Sequence, residues 1–134
     1  MRIVLPILAL LCSGVDFADE HIANAPKPIV TPLSTRKLPD YPGKEAVMLA
    51  VEYPPGAVET PHRHEANAFV YVLEGSVVLG VAGSEPVTLT PGQTFYEGPN
   101  DIHTVGRNAS ATKPARFVVV LLKDIDKPAV MPVK

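Results

Sequence analysis

Residues 56–75 read GAVETPHRHEANAFVYVLEG, and this stretch decides the fold of the 134-residue chain. Glycines bound it at Gly56 and Gly75, and its second half, AFVYVLE, has the β-branched and aromatic residues that favour strands. His62 and His64 stand two residues apart just before that half. On a strand this spacing points both imidazoles to one face of the sheet, where they can share one metal ion.

The chain on both sides of this stretch consists of short apolar runs cut by glycine and proline. Its fifteen prolines and nine glycines are hard to reconcile with long helices. Eight strands at this spacing predict an all-β sandwich or barrel. Several strands are apolar on both faces, which predicts that a second sheet layer or a partner subunit covers the outside. The predicted strands are 46–53, 59–64, 68–74, 76–81, 86–89, 93–97, 102–107 and 115–122, with an edge strand at 29–33 before them.

A second stretch, residues 92–103 with the sequence GQTFYEGPNDIH, carries a third histidine. His103 opens a later strand just after a tight turn, and closure of a barrel can bring it next to the first pair. Three neutral imidazoles suit a first-row divalent metal such as Mn, Fe, Co, Ni or Zn. Taken alone, an H-x-H pair is as typical of an exposed strand as of a metal site.

The spacing of the two stretches resembles the two motifs of the cupin family. Gly56, five residues, His62-Arg63-His64 and then Gly75 match the first motif, and Gly92, ten residues and His103 match the second. The chain therefore resembles a single-domain cupin over roughly residues 46–122. The resemblance implies an all-β, cupin-like jelly-roll β-barrel, a metal held by the three histidines and, often, a homodimer.

The resemblance departs from the family pattern at several positions. The usual acidic ligand of the family would fall at position 68, which is Ala68, and a methyl group cannot bind metal. Gly98 and Asn100 stand where the second motif usually has Pro and Gly, and its last Asn comes one place late, at Asn108. Three of the four family ligands therefore carry over to this chain.

Three interpretations of the site stay open at this point. Three histidines can hold a metal with open positions for water or substrate, as in cupin oxygenases that cleave small thiols or diketones. A nearby group can replace the missing ligand: Glu97 stands six residues before His103, and Glu65 and Asn67 flank the first motif. In the third interpretation the metal is lost and the pocket serves only to bind a ligand.

The leading hypothesis is an enzyme that acts on a small oxygenated molecule. Its cofactor is a divalent metal, with Fe or Mn preferred and Ni or Zn as alternatives. The metal would support dioxygenase, isomerase or lyase chemistry, and Glu97 and Tyr96 are the candidate catalytic residues that move the proton. The rival hypotheses are a non-catalytic module that binds or senses a small ligand and an exported structural protein with a relic site. The fold alone cannot choose between them.

The N-terminus starts with a basic residue followed by a short apolar run, residues 3–11. This pattern is typical of a secretory signal peptide, and so we expect export to the periplasm. If the segment is instead an arm packed on a partner subunit, the protein stays cytoplasmic. The predicted divisions of the chain are a signal peptide or N-terminal arm over 1–24, an extended lead-in over 25–45, the cupin barrel over 46–122 and a C-terminal tail over 123–134.

Charge and cysteine content limit the partners. The formal net charge of −2 and the absence of a Lys/Arg cluster argue against nucleic acid and against an anionic membrane surface. The single cysteine, Cys12, excludes an internal disulfide framework and a cysteine-based zinc site. The expected partners are a small-molecule ligand or substrate and a second copy of the chain, with no nucleic acid and no stable membrane anchor.

Overall fold

The computed structural model describes residues 23–133, and the elements in that range are ten strands. Short apolar runs separated by glycine and proline turns account for the number of strands and for their brevity. The strands are β1 (Ile29–Lys37), β2 (Lys44–Tyr53), β3 (His62–Arg63), β4 (Ala66–Glu74), β5 (Val77–Val81), β6 (Val87–Leu89), β7 (Thr94–Glu97), β8 (Ile102–Asn108), β9 (Ala115–Asp124) and β10 (Met131–Pro132).

The strands form two antiparallel sheets of five strands each. The first sheet has the order β1-β2-β9-β4-β7, and the second has the order β10-β3-β8-β5-β6. Strands that are distant in the sequence are neighbours in both sheets, as in a double-sheet jelly roll. The predicted all-β, jelly-roll fold is confirmed.

Strict alternation along β4 and β9 builds the core between the sheets. Val70 and Val72 on β4 are 4% and 0% exposed, whereas their chain neighbours Phe69 and Tyr71 are about half exposed. On β9 the buried positions are every second residue from Ala115 to Lys123. One face of the first sheet therefore packs against the second sheet, and the opposite face carries apolar side chains at the surface.

Each end of the described chain forms an edge strand of one sheet. β1 pairs with β2 as an edge strand, which explains why it tolerates Pro32, where the register shifts. It runs to Lys37, four residues beyond the predicted edge strand. The tail, for which no strand was predicted, forms β10 and pairs with β3, so that Pro132 lies opposite His62.

Asn108 fixes the end of β2 to the end of β8. Its side-chain amide is 4% exposed and donates to the carbonyl oxygens of Tyr53, Pro54 and Lys113 at 2.8 to 3.1 Å. Its Oδ1 accepts a hydrogen bond from the backbone N–H of Ser110 at 2.8 Å. The asparagine that comes one place late in the second motif thus joins two strands that border the histidines.

Several predictions concern residues outside the described range. The signal peptide or N-terminal arm falls almost entirely on residues 1–22, and Cys12 lies there too. Export of the protein stays a prediction. Within residues 23–133, no helix is long and apolar enough to cross a bilayer.

Gly75, the last residue of the first motif, is the glycine that the fold can least replace. Its φ is +69°, and an added Cβ would lie 2.4 Å from the carbonyl oxygen of Pro114. We expect Gly75→Ala to lower the free energy of unfolding by about 2–5 kcal/mol through left-handed strain and overpacking together. Gly83→Ala is the control, because Gly83 has a φ of +83° with nothing within 4 Å of an added Cβ.

Urea unfolding of the two variants beside the wild type measures this difference. The control should lose only about 1 kcal/mol, the cost of the backbone conformation alone. Equal losses in both variants would show that the contact between Gly75 and the start of β9 is not tight.

Candidate metal centre

The pairing of β3 with β8 brings His62 and His103 together. The two residues are direct partners in the antiparallel register, and their rings lie 4.8 Å apart, centre to centre. Nε2 of His62 is 3.3 Å from Nδ1 of His103. His64 follows β3 on the same side, with its ring 4.9 Å from that of His62. The structure therefore brings together the three histidines that the sequence predicts as metal ligands.

Backbone carbonyls fix the proton position on two of the three rings. Nδ1 of His62 lies 3.0 Å from the carbonyl oxygen of Thr60, and Nδ1 of His64 lies 2.5 Å from that of Ala129. A carbonyl oxygen only accepts, so each Nδ1 carries the proton and donates it. Nε2 of both rings is consequently unprotonated, with its lone pair free to bind a metal.

Burial keeps two of the rings neutral. His64 is 9% exposed and His103 is 5% exposed. Burial, together with the nearby His62 and His64, lowers the pKa of His103 to about 4. Burial also lowers the pKa of His64, although its hydrogen bond to Ala129 opposes that effect. Neutral imidazole at pH 7 is the form that binds metal.

The donor set fits a divalent metal ion. One ring nitrogen from each histidine can be chosen so that all three lie within 4.8 Å of one another. Two nitrogens bound to one ion at roughly 2.1 Å are about 3.0–3.4 Å apart, and the 3.3 Å between His62 and His103 falls in that range. On this geometry His103 would bind through Nδ1, because Nδ1 is its nitrogen that lies 3.3 Å from Nε2 of His62.

Glu97 lies behind the histidines, on the buried side. Its side chain is 3% exposed, with Oε2 3.8 Å from Nε2 of His64 and Oε1 3.8 Å from Nδ1 of His103. Burial, together with the charges of Glu59 and Asp101, raises its pKa to about 7. The structure thus places this predicted site residue against two of the histidines.

Glu59 is a second acidic residue at the site, and the sequence did not reveal it. Its Oε2 lies 3.6 Å from Nδ1 of His103, and burial raises its pKa. The buried hydroxyl of Tyr53 is its neighbour, and burial raises the pKa of that phenol as well, with the charge of Glu59 adding to the effect. The glycine at position 106 makes room for the group, since an added Cβ would lie 2.5 Å from Oε2 of Glu59.

The histidines open onto a cavity of about 470 Å³. Its walls are mainly apolar and come from β2, from Phe117 on β9 and from the two ends of the described chain. Glu59 lines the cavity and Glu97 does not. The lining residues are Lys27, Pro28, Val30, Leu49, Val51, Tyr53, Val58, Glu59, Thr60, Pro61, His62, His64, His103, Phe117, Val130 and Pro132.

Tyr96 is not brought to the histidines. It lies on the outer face of the first sheet, half exposed, and its hydroxyl donates to Oδ1 of Asn67 at 2.7 Å. Asn67 therefore also faces outward. Glu65, the other polar residue near the first motif, pairs with Lys127 at 3.1 Å and with Arg63 at 3.7 Å. Of the three groups considered as a replacement ligand, only Glu97 contacts the histidines.

Comparison with known proteins gives one family match and many solved structures of the same fold. The model of the Cupin domain family matches residues 49–121. No curated protein matches the chain. A crystal structure of an uncharacterized protein with a double-stranded beta-helix domain from Klebsiella pneumoniae is 18% identical, with 90% of this chain and 99% of that chain covered and a TM-score of 0.62.

Two solved enzymes share the fold at similar identity. An oxalate oxidase in complex with the substrate analogue glycolate is 24% identical over 78% of this chain, with a TM-score of 0.60. The DMSP lyase DddQ from Ruegeria pomeroyi is 22% identical over 64% of this chain, with a TM-score of 0.57. The aligned regions cover 54% of the oxidase chain and 42% of the lyase chain. At these identities the similarity shows the fold alone.

The buried carboxyl of Glu97 should give the metal-free protein a measurable pH dependence. Its pKa rises from the ordinary 4.5 to about 7 on folding, so the folded state holds the proton more tightly than the unfolded chain. The wild type therefore loses stability as the pH rises from about 4.5 to 7. Glu97→Gln should gain about 3 kcal/mol relative to the wild type between pH 4.5 and pH 8.

Urea unfolding of both chelator-treated proteins at the two pH values checks this expectation. A stability difference that does not change with pH would show that the carboxyl of Glu97 is not buried as the structure places it.

Proposed function

The chain belongs to the cupin domain family, and we propose that it binds one divalent metal ion through His62, His64 and His103 and acts with it on a small oxygenated molecule. The observation that carries this proposal is the cluster of three imidazoles that lines the cavity. In His62 and His64, Nδ1 donates to a backbone carbonyl, so Nε2 is unprotonated. A surface pair of histidines needs neither burial nor such hydrogen bonds. Both features are expected of metal ligands.

Fe or Mn is the preferred metal, and Ni or Zn is the alternative, because neutral imidazole accepts most of the first-row series. When bound, the metal supplies a Lewis acid that polarises a substrate oxygen or, as iron, supports chemistry with dioxygen. One solved structure of this fold is an oxalate oxidase, and another is a DMSP lyase. The same fold therefore hosts enzymes of different kinds, and the choice among dioxygenase, isomerase and lyase activities stays open.

The residues around the cavity have separable roles in this proposal. Leu49, Val51 and Phe117 contact an apolar portion of the substrate and exclude water from it. Glu59 holds or moves a proton at Oε2, since it lines the cavity and lies 3.6 Å from His103. This assignment differs from the sequence-based candidates, because Tyr96 faces outward and Glu97 lies behind the histidines.

A non-catalytic role in binding or sensing a small ligand is the second candidate. The observation that favours it is Ala68, which is 0% exposed and stands where the family usually has its acidic ligand. Turnover separates the two candidates. An enzyme loses activity in His103→Ala, whereas a binding module shows thermal stabilisation by its ligand without turnover.

Metal content tests the proposal directly. The protein purified without a His-tag or chelator should contain about one divalent metal per chain, and His62→Ala/His64→Ala should contain none, because one remaining imidazole does not hold a metal. Elemental analysis of both proteins measures this. If the wild type stays metal-free after reconstitution with Fe(II), Mn(II), Ni(II) and Zn(II), the metal-dependent function is excluded.

A test of activity follows from the same assignment. Iron-loaded protein should consume dioxygen with a small thiol or diketone if it is an oxygenase, and a zinc- or nickel-loaded protein should act as an isomerase or lyase without dioxygen. Glu59→Gln should reduce the turnover number by about 10²–10⁴-fold if its carboxylate moves the proton. Unchanged turnover in that variant would remove Glu59 from the mechanism and leave the metal site standing.

We also propose that the protein forms a homodimer through the outer face of the first sheet. Phe69 and Tyr71 on β4, together with Tyr96 on β7, are about half exposed, and the rings of Phe69 and Tyr96 lie 5.2 Å apart. The register continues this apolar row across the sheet, from Tyr96 through Phe69 and Val120 to Met48. A contiguous apolar face of this kind marks an interface, and a second copy presents the same face.

Phe69→Glu should convert this dimer to a monomer, because it places a charge at the centre of the apolar row. Val87→Glu is the control, since Val87 is 41% exposed but lies on β6, in the other sheet. Size-exclusion chromatography with light scattering measures the mass of each protein. A wild type that is already monomeric, or a dimer that survives Phe69→Glu, would contradict the assigned face.

A further inference from the structure

We infer that Glu97 supplies the acidic ligand of the metal site from β7, in place of the residue that β4 lacks at position 68. This inference rests on the proposed metal binding by the three histidines. Its first support is the placement of the carboxyl group, whose two oxygens each lie 3.8 Å from a ring nitrogen of a different histidine. One of them, Oε2, is buried and has no hydrogen-bond partner among the described residues.

The register of the sheet explains how a ligand on β7 reaches the same place. Ala68 and Glu97 are direct partners in the antiparallel pairing of β4 with β7. Side chains of such partners project to the same face, with Cβ atoms about 4.5–5.5 Å apart. Ala68 is fully buried and ends at a methyl group, so the longer side chain of Glu97 has room to extend over it. From β7, Glu97 can therefore reach the same histidines that an acidic residue at position 68 on β4 would reach.

The carboxylate of Glu97 has no lysine or arginine partner among the described residues. The only basic groups recorded as ion-pair partners of its carboxylate in the described part of the chain are the imidazoles of His64 and His103. An ionised carboxylate that is 3% exposed carries a desolvation penalty of several kcal/mol unless a charge compensates it. A divalent ion among the three histidines would provide that charge. Glu45, the other strongly buried acid, already has a lysine at 2.7 Å.

Glu97 and Glu59 would then have different roles at the site. Glu97 does not line the cavity, so it binds the metal from the closed side, and Glu59 remains on the open side with the substrate. The positions that face the cavity stay available for water or substrate. A carboxylate oxygen added to three imidazoles makes the site harder, which favours Mn or Fe over Ni or Zn.

Mn(II) binding to the full chain tests this assignment without any assay of activity. The metal-free wild type, Glu97→Gln and Glu65→Gln are titrated with Mn(II) in a calorimeter, and bound Mn(II) is counted by electron paramagnetic resonance. Glu97→Gln keeps the shape of the side chain and removes its charge. Glu65→Gln is the matched control, because Glu65 is three residues after His62 in the first motif and pairs with Lys127 and Arg63 instead.

We expect one Mn(II) per wild-type chain and a dissociation constant at least 10-fold weaker in Glu97→Gln, which is the lower bound seen even for outer-shell partners. The control should stay within about twofold of the wild type. An unchanged affinity in Glu97→Gln overturns the inference and leaves the three-histidine site intact. A wild type that binds no Mn(II), Fe(II), Ni(II) or Zn(II) overturns the proposed function as well.

Moving the carboxylate from β7 to β4 provides a second test. Ala68→Glu/Glu97→Ala returns the acid to β4, and it should bind Mn(II) more tightly than Glu97→Ala alone. Circular dichroism of each variant establishes that the fold is kept. If the double variant does not fold, Glu97→Asp replaces it, and this variant should bind more tightly than Glu97→Ala because it keeps a carboxylate at position 97. Equal affinities of the acid-bearing variant and Glu97→Ala overturn the inference.

Discussion

The site depends on the pairing of β3 with β8, which sets His62 directly opposite His103. The two strands are separated by β4 to β7 in the sequence, and only the closure of the second sheet makes them neighbours. β3 is two residues long and has β8 on one side and β10 on the other. The geometry of the histidines is therefore a property of the whole sheet and not of the H-x-H pair alone.

The C-terminal tail completes the site through its backbone. The carbonyl oxygen of Ala129 accepts from Nδ1 of His64, and β10 holds the tail beside His62. Val130 and Pro132 from the same tail and Lys27 and Val30 from the lead-in line the cavity. The ends of the described chain thus set both the orientation of a ligand and the shape of the space in front of it.

Much of the fold and of the histidine cluster could be predicted from the sequence. Spacing of two on a strand fixes a shared face for His62 and His64, and the glycine positions of the two motifs fix where strands stop. The contributions of Glu59 and Ala129 could not be predicted. Thr60 and Pro61 interrupt the strand before His62. The alternation of side chains between the two faces of a strand, which relates His62 to His64, therefore does not extend to Glu59. Ala129 acts through a backbone carbonyl 65 residues from its partner.

The placement of Tyr96 and Glu97 shows that the buried face of a short strand is hard to assign from the sequence. β7 has four residues, and a shift of one position exchanges its buried and exposed faces. The sequence named both residues as candidates, although neighbours on a strand point to opposite faces. The structure places Glu97 toward the histidines and Tyr96 toward the surface, because pairing with β4 sets Glu97 opposite Ala68 on the buried face.

All of the proposed chemistry requires the three histidines to hold one metal ion. An anomalous difference map from a crystal of metal-loaded protein, collected at the absorption edge of the bound metal, locates this ion. We expect a single strong peak about 2.1 Å from Nε2 of His62, Nε2 of His64 and a ring nitrogen of His103. A map without a peak among the three rings, or with metal only at another place on the chain, would contradict it.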